Sequence, residues 1–330
     1  MEYRLLGRTG VRVSALCLGT AFFGIAPEEG EVATLVRRAL ELGINFFDTA
    51  NSYGNQARFD RPGLPPADQR RSSEELLGRA LRGRRQEVVL ATKVQENVGN
   101  GPNDGGPSGG GLTRKHIMAQ CERSLQRLGT DFVDLYYAHH PDPTTPLEQT
   151  LRAFDDLVRA GKVRYPALSN YPAWQLTRAL WICERQRLDP PVAMEMPYSL
   201  LNRGIERDVV PACVELGVGI TAYSPLAEGL LSGRYAPGTT AGDVGSLRHR
   251  ADFAFPAERA RLAQSVGALA AGWGHTTAQG ALAWLLGRRG LTSAIVGPET
   301  PGQLEELAPA ADLHLTDEQT QQLDALVERS

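Results

Sequence analysis

Residues 88–93 read VVLATK, a short apolar run that ends in a lysine. Seven further runs of this kind lie along the 330 residues; they contain Val, Ile, Phe and Tyr and lack regular polar alternation. Runs of this composition are typical of parallel strands that are buried on both faces. The eight predicted strands span residues 15–19, 44–48, 88–93, 133–139, 163–169, 192–198, 219–225 and 292–297.

Helical patterns separate the predicted strands. Ile117, Cys121 and Leu125 recur at helical spacing, which places them on one face of a helix. Capping boxes, which satisfy the free N–H groups of a helix start, are expected at Ser72–Glu75 and Thr316–Gln319. Helices are expected to end at Gly43, Gly129, Gly161 and Gly217.

Alternating strands and helices fit either a doubly wound sheet or a (β/α)8 TIM barrel. A dinucleotide-binding sheet requires G-x-G-x-x-G directly after its first strand, and the near match at 217–222 instead precedes a strand. The sequence therefore favours an α/β fold with one barrel domain over 1–330 and long loops on its C-terminal face. Segments 3–5 and 11–14 are expected to form a hairpin that closes the bottom of the barrel.

Composition excludes several classes of protein. The net charge of −3 argues against a nucleic-acid partner, and the absence of a long apolar run argues against a membrane span. The start lacks the apolar region of a signal peptide, and the four cysteines form no C-x-x-C pair, so a cytoplasmic location is expected. The six histidines show no metal-binding spacing, so no metal site is predicted.

Four polar side chains lie at or just after predicted strand ends: Asp48, Tyr53, Lys93 and His139. Active sites of TIM barrels occupy this end of the strands. Each residue alone has an ordinary explanation, such as a turn cap, a packed tyrosine or a buried histidine. Lys93 stands out, because only three of the 35 basic residues are lysines.

Together these four residues could transfer a proton, with Tyr53 as the donor. A free tyrosine, with a pKa of ~10, is a weak acid at neutral pH, and a nearby ammonium lowers that pKa. Asp48 would hold Lys93, His139 would orient a carbonyl, and Tyr53 would protonate its oxygen. Because no side chain donates hydride, a nicotinamide or flavin cofactor is implied.

Eight motifs resemble those of a known family: LCLGT (16–20), NFFDTANSYG (45–54), VVLATK (88–93), DLYYAHHPDP (134–143), GKVRYPALSN (161–170), PYSLLNR (197–203), ITAYSPLAEGLLSGRY (220–235) and GPETPGQLEE (297–306). Over essentially its whole length the chain resembles the aldo-keto reductase superfamily, in particular bacterial members related to sugar-tailoring reductases and potassium-channel β-subunits. The resemblance implies a (β/α)8 barrel that binds NADPH, with NADH as the alternative, and reduces an aldehyde or ketone to an alcohol.

The resemblance also implies roles for particular residues. The catalytic tetrad of the family corresponds to Asp48, Tyr53, Lys93 and His139. The implied cofactor-binding residues are Gly19, Thr20, Asp48, Ser169, Asn170, Glu195, Tyr223, Ser224, Leu226, Gly229, Leu231, Gly233, Arg234, Gly297, Glu299, Thr300, Gln303 and Glu306. From their positions, the expected substrate-pocket residues are Phe22, Phe23, Tyr53, Phe59, His139 and His140.

Three positions depart from the family pattern. Glu195 replaces a glutamine that commonly binds the nicotinamide carboxamide, and Leu307 replaces an asparagine near the adenine. Glu299 lies where a basic residue often binds the 2′-phosphate of NADPH, and an acid there would repel that phosphate. We expect NADH to compete better than is usual in the family.

Two segments at the expected mouth of the barrel, 55–71 and 99–111, are either surface loops or a lid over the ligand. A wide polar mouth would suit a small-molecule carbonyl on a sugar or another natural product. Two alternatives stay open: reduction of an enoyl C=C bond, and a nicotinamide-binding regulatory subunit. The natural substrate, the physiological direction and the oligomeric state cannot be predicted.

Overall fold

Eight parallel strands form a closed barrel in the computed structural model, which describes residues 1–99, 101–104, 111–246 and 248–328. A separate antiparallel hairpin, β1 (Tyr3–Leu5) and β2 (Arg12–Ser14), precedes them. The barrel strands are β3 (Leu16–Gly19), β4 (Phe46–Asp48), β5 (Val89–Val94), β6 (Val133–Ala138), β7 (Val163–Ser169), β8 (Ala193–Pro197), β9 (Gly219–Tyr223) and β10 (Leu291–Val296). They pair in chain order, and β10 closes the ring against β3. The predicted (β/α)8 barrel is confirmed.

Helices surround the barrel: α1 (Glu29–Glu41), α2 (Ser73–Ala80), α3 (Arg114–Leu128), α4 (Leu147–Arg159), α5 (Ala173–Gln186), α6 (Val209–Leu216), α7 (Ala257–Gly272), α8 (Thr277–Leu286), α9 (Pro301–Leu307) and α10 (Asp317–Glu328). Both predicted capping boxes form, at the starts of α2 and α10. The four glycines predicted to end helices all have positive φ, which glycine adopts at little cost. No helix among the described residues is long and apolar enough to cross a membrane.

The hairpin closes the N-terminal end of the barrel, as expected. Leu6 and Val13 are fully buried and pack with inward-facing residues of the strands, including Leu135 on β6. Gly7 lies against the backbone of residues 192, 217 and 219, where the positive φ and the close approach both require glycine. This apolar layer closes the N-terminal end of the barrel, which leaves the C-terminal end for a ligand site.

Long loops surround the C-terminal end. Segment 55–71 is ordered by Arg70, whose buried side chain bonds to Asp60 and to the carbonyl oxygens of Gly54, Gln56 and Pro65. Segment 99–111, the other predicted lid, lies partly outside the described residues. A third segment, 224–256, which joins β9 to α7, folds over the same end.

Candidate active site

The barrel brings the four predicted catalytic residues to one place. Asp48 ends β4, Lys93 is the fifth residue of β5 and His139 directly follows β6. Tyr53 lies in the turn after β4, where its ring is in edge contact with His139 at a centroid distance of 5.9 Å. The Nζ atom of Lys93 lies 5.1 Å from the centroid of the Tyr53 ring. Parallel strands align their carboxyl ends, which explains how residues distant in sequence meet here.

Lys93 is buried completely and is surrounded by oxygen atoms. Its Nζ forms a short ion pair with Asp48 and donates a 3.1 Å hydrogen bond to the carbonyl oxygen of Thr49. It also lies 3.4 Å from a carboxylate oxygen of Glu195, which is buried as well. The sequence predicted the Asp48 contact but assigned Glu195 to the cofactor alone. The site therefore contains one buried ammonium between two buried carboxyl groups.

The three groups determine one another's protonation. Burial opposes the charge on Lys93, but Asp48, Glu195 and Tyr53 together raise its pKa well above the ordinary value. Burial raises the pKa of Asp48, and Lys93 opposes this rise. Burial and the neighbouring Asp48 raise the pKa of Glu195 to about 8, so Glu195 holds a proton through much of the neutral range. One buried cation is thus balanced by about one buried anion.

Tyr53 departs in part from the sequence expectation. Lys93 does lower the pKa of the phenol, partly through a hydrogen bond, as expected. Burial has a larger effect in the opposite direction, so the net pKa of Tyr53 lies above its ordinary value. The phenol is therefore neutral and holds the proton that a general acid must transfer.

His139 is a neutral imidazole in this environment. Burial, followed by the charge of Lys93, lowers its pKa well below the ordinary value. Its ring stacks on His140 with centroids 4.8 Å apart, and its Nδ1 atom has no hydrogen-bond partner among the described residues. A neutral imidazole beside Tyr53 can donate a hydrogen bond to a substrate oxygen without competing as the acid.

A cleft of about 410 Å³ opens above these groups. It is lined by the residues assigned to the cofactor, except Ser169, Leu231, Gly233 and Thr300. Ser169 is buried and its hydroxyl accepts a hydrogen bond from Asn170. Leu231 packs into the core, and Thr300 caps the start of α9. Gly233, at positive φ, ends a short 3-10 segment at 227–232.

The substrate assignments are corrected at two positions. Phe23 is 1% exposed and packs in the core between barrel and helices, so it does not form a pocket wall. Phe59 lies behind Phe22, with ring centroids 5.5 Å apart, and supports that residue without lining the cleft. Phe22 and His140 line the cleft.

Two hydrogen-bonded groups lie at the end of the cleft where the sequence predicts cofactor binding. The hydroxyl of Tyr223 donates a 2.9 Å hydrogen bond to the side chain of Asn170. Glu299 accepts a 2.6 Å hydrogen bond from the hydroxyl of Ser246 and lies 3.6 Å from a guanidinium nitrogen of Arg234. Arg234 therefore partly compensates the negative charge that the sequence placed near the 2′-phosphate position.

Sequence reasoning missed several charged residues that line the cleft, among them Arg58, Glu96 and Arg248. Arg58 lies 3.4 Å from Glu96, which in turn lies 3.3 Å from His140. Arg248 stacks over the ring of Phe22 at 4.7 Å. The paired arginines at 58 and 61, and again at 248 and 250, are the signal that could have identified Arg58 and Arg248.

Comparison with known proteins identifies the family of this chain. Residues 15–328 match the model of the aldo/keto reductase family. The chain is 41% identical to the uncharacterized oxidoreductase YrpG of Bacillus subtilis, over 96% of this chain and 93% of that protein. It is 33% identical to a probable voltage-gated potassium channel subunit beta of Oryza sativa (99% and 97% covered) and 31% identical to L-glyceraldehyde 3-phosphate reductase of Escherichia coli K12 (93% and 86%). The chain therefore belongs to the aldo/keto reductase family and is an oxidoreductase.

Proposed function

We propose that this protein reduces an aldehyde or ketone to an alcohol with NADPH, or with NADH as the alternative, and that Tyr53 is the general acid. The observation that carries the proposal is the buried arrangement of Lys93, Asp48 and Tyr53 at the floor of the cleft. A buried ion pair of this kind is costly, and such groups concentrate at catalytic sites.

Features of the cleft fit a nicotinamide cofactor. Buried oxygen atoms of Thr20 and Asp48, which line the cleft, have no hydrogen-bond partner among the described residues, as expected of atoms that a ligand would contact. Gly229, at positive φ, has little around the position of a missing Cβ, which leaves its backbone open to a phosphate. Asn170, Glu195 and Tyr223 would hold the nicotinamide end, and Arg234 the adenosine end. The cofactor would supply hydride to the carbonyl carbon.

The residues around the carbonyl would orient it, protonate its oxygen and stabilise the charge that forms. His139 would orient the carbonyl oxygen by donating a hydrogen bond, and Tyr53 would transfer its proton to that oxygen. Lys93 would stabilise the phenolate that forms, while Asp48 holds the ammonium in place. The low dielectric of the floor strengthens each of these interactions.

The polar mouth of the cleft favours a hydrophilic substrate. Arg58, Glu96 and His140 lie on the substrate side, where a pocket for purely apolar aldehydes would have apolar walls. A sugar or another natural-product carbonyl fits this lining. The similarity to reductases named for L-glyceraldehyde 3-phosphate supports a small polar carbonyl compound.

Oxidation of NADPH and NADH in the presence of a panel of carbonyl compounds tests the proposal. We expect multiple turnovers with polar aldehydes or keto-sugars, and a loss of about 10²–10⁴-fold in kcat/KM for Tyr53→Phe. A fluorescence titration should show that Tyr53→Phe still binds the cofactor. Equal turnover by the variant would remove Tyr53 from the role of acid.

The similarity to potassium channel β-subunits over nearly the whole of both chains supports a second candidate. In that role the protein would bind a nicotinamide cofactor and regulate a partner. Tight cofactor binding without turnover of any carbonyl in the panel would favour the regulatory role. Reduction of C=C bonds is the other alternative, and an enoyl compound in the same panel distinguishes it from C=O reduction.

A further inference from the structure

Three side chains that can bind a metal ion converge on the substrate side of the cleft: Glu96, His139 and His140. Each offers one ligand atom, a carboxylate oxygen or an imidazole nitrogen, and these atoms all lie within 4.8 Å of one another. Spacing in the sequence did not indicate the group, because Glu96 follows β5 and the two histidines follow β6. We name it the His–His–Glu cluster; the catalytic roles proposed above involve only His139 from it.

The distances in the cluster suit a small cation. A carboxylate oxygen of Glu96 lies 3.3 Å from the Nε2 atom of His140. Two ligand atoms of a tetrahedral zinc ion, each about 2.1 Å from the metal, lie about 3.4 Å apart. Glu96 and His140 are therefore already at the separation that shared coordination requires, and His139 supplies the third ligand.

The chain brings the two imidazole rings to the same side. Neighbouring residues of a strand point to opposite faces, but the chain bends at His140, just after β6, and the rings stack with their planes 15° apart. Stacked rings direct their lone pairs side by side, so one ring must rotate for both nitrogens to meet one ion. His139 is buried, and its carbonyl oxygen accepts a 2.9 Å hydrogen bond from Asn170. His140 and Glu96 are partly exposed and can rotate toward it.

His139 has hydrogen-bonding capacity that the protein does not use. Its Nδ1 atom is buried and has no hydrogen-bond partner among the described residues. Buried polar groups normally have a partner, so an exception in a cleft indicates a ligand. This observation is independent of the distances within the cluster and points to the same place.

The positive charges nearby leave room for a cation. Arg58 lies 3.4 Å from the carboxylate of Glu96, but its side chain is half-exposed and can turn toward water. Such a pair contributes little, so a divalent ion can displace the guanidinium. The charge of Lys93 is already balanced by the buried carboxylate of Asp48.

The donor set selects the kind of ion. Two imidazole nitrogens and one carboxylate are a ligand set of zinc sites that keep a fourth position open. Magnesium and calcium prefer oxygen ligands, so they should bind weakly here. Zinc ions, and the other divalent transition metals that imidazole favours, fit the cluster best.

We propose that the His–His–Glu cluster binds a divalent transition metal of the zinc type, and that the bound ion inhibits the reductase by taking the place of the substrate carbonyl at His139. The inhibition rests on the reductase function proposed above, whereas the metal site does not. A ring nitrogen that coordinates a metal cannot donate a hydrogen bond to a substrate oxygen. Because the ring of His139 is in edge contact with Tyr53, the ion lies beside the general acid.

Titration of the full chain, without an affinity tag, tests the site. Calorimetry with zinc chloride should show one ion bound per chain, and zinc should raise the Tm more than magnesium does at equal concentration. His140→Gln and Glu96→Gln should each weaken zinc binding about tenfold or more, since loss of even a residue that supports a metal ligand costs about 10–100-fold.

His314→Gln is the matched control. It removes an exposed imidazole beside the N-terminal hairpin, at the other end of the barrel, and should leave the zinc affinity unchanged. Equal zinc affinity of the wild-type protein and both cluster variants would overturn the proposal.

Arg58→Gln gives a change of the opposite sign. Removal of the competing guanidinium should strengthen zinc binding about two- to fivefold, the range of one partly exposed ion pair. A lower affinity in this variant would contradict a cation beside Glu96.

Inhibition kinetics test the second half of the proposal. Zinc should raise KM for the carbonyl compound in proportion to its concentration, and it should leave kcat and the Kd for NADPH unchanged. Inhibition that excess carbonyl compound does not relieve would overturn the inhibitory role. Loss of turnover on treatment with EDTA, restored by zinc, would also overturn it, because the ion would then be an activator.

Binding and turnover together separate this proposal from the reductase function. Zinc binding that both cluster variants lose, without turnover of any carbonyl compound in the presence of EDTA, would contradict the reductase function and retain the metal site. Turnover by a protein that binds no zinc would retain the reductase function and overturn the metal site.

Discussion

The two ends of the barrel are built from the same strands and are equally buried, but they contain opposite kinds of side chain. At the N-terminal end, Leu6, Val13 and Leu135 form a dry apolar layer. At the C-terminal end, Lys93 is as completely buried as Leu135, and Asp48 and Glu195 lie beside it. Apolar burial at one end stabilises the fold, whereas desolvation of three ionisable groups at the other end opposes it.

Tyr137 marks the boundary between the two environments. Its ring packs in the apolar layer and lies 5.8 Å from the Nζ atom of Lys93. Burial raises the pKa of its phenol well above the ordinary value, so it stays neutral beside the charged groups. Apolar burial in the lower layer therefore offsets the cost of burying charged groups on the catalytic floor. We expect substitutions in the apolar layer to reduce stability, and substitutions on the catalytic floor to reduce activity.

The largest effect on activity is expected from Lys93→Met, which replaces the buried ammonium of the catalytic floor by an apolar side chain. Without the ammonium, nothing compensates the phenolate of Tyr53, so kcat/KM for carbonyl reduction should fall about 10³-fold. Asp48 also loses its counter-charge, so the free energy of unfolding at neutral pH should decrease. Steady-state kinetics and urea denaturation measure the two quantities.

Arg185→Gln, on the exposed face of α5, is the control for loss of a positive charge. Activity of Lys93→Met within tenfold of the wild-type value would show that the amine is not required.

A substitution at the apolar end should have the converse effect. Leu6→Ala leaves a cavity in the layer that closes the barrel, and we expect a loss of about 2–5 kcal/mol in the free energy of unfolding. The folded fraction should retain the wild-type kcat, because Leu6 packs in the apolar layer at the opposite end of the barrel from the catalytic floor. Leu5→Ala, on a half-exposed neighbour, is the matched control and should cost much less. A large fall in kcat without loss of stability would show that the two ends are coupled.

Glu195 makes the catalytic floor sensitive to pH. Its pKa is raised from 4.5 to about 8 on folding, mainly by burial, so between these values the folded state binds more protons than the unfolded state. The stability of the folded state should therefore fall as pH rises through this window, by at most about 1.4 kcal/mol per pH unit. Glu195→Gln retains the shape and cannot titrate, so its stability should depend less on pH.

Thermal unfolding across pH 5–9 measures how the stability of the wild-type protein and of Glu195→Gln depends on pH. The two slopes of stability against pH can then be compared. Glu184→Gln, an exposed glutamate on α5, should leave the wild-type slope unchanged. Identical slopes for wild type and Glu195→Gln would show that Glu195 does not take up the proton.

The fold could be predicted from the sequence because parallel strands buried on both faces leave a simple signal. Each of the eight apolar runs corresponds to a barrel strand within about two residues at either end. The missing phosphate-binding glycine pattern distinguished the barrel from a doubly wound sheet. The path of residues 235–256 was not predicted, because it depends on contacts across the barrel mouth, such as the bond from Arg61 to Arg248.

The catalytic residues could be predicted because each lies at or just after a strand end, where the topology fixes its position. The electrostatics could not be predicted in the same way. The contact of Glu195 with Lys93, 102 residues earlier in the chain, depends on the radius of the barrel. The net pKa of Tyr53 depends on how completely the phenol is buried.

The smallest effect on activity is expected at Glu299 and Arg234, whose charged groups are more exposed to water than those of the catalytic floor. Glu299→Gln removes the carboxylate that lies 3.6 Å from Arg234 and leaves that guanidinium available to the 2′-phosphate of NADPH. The ratio of kcat/KM for NADPH to that for NADH should rise about two- to fivefold, the range of a single partly exposed ion pair. Glu305→Gln, on the outer face of α9 where Glu305 pairs with Arg38, is the control and should not change the ratio. Fluorescence titration with NADP⁺ and NAD⁺ should show the same change in relative Kd. If the ratio is unchanged, Glu299 does not face the 2′ position, and the sequence-based expectation of improved NADH use loses its physical basis.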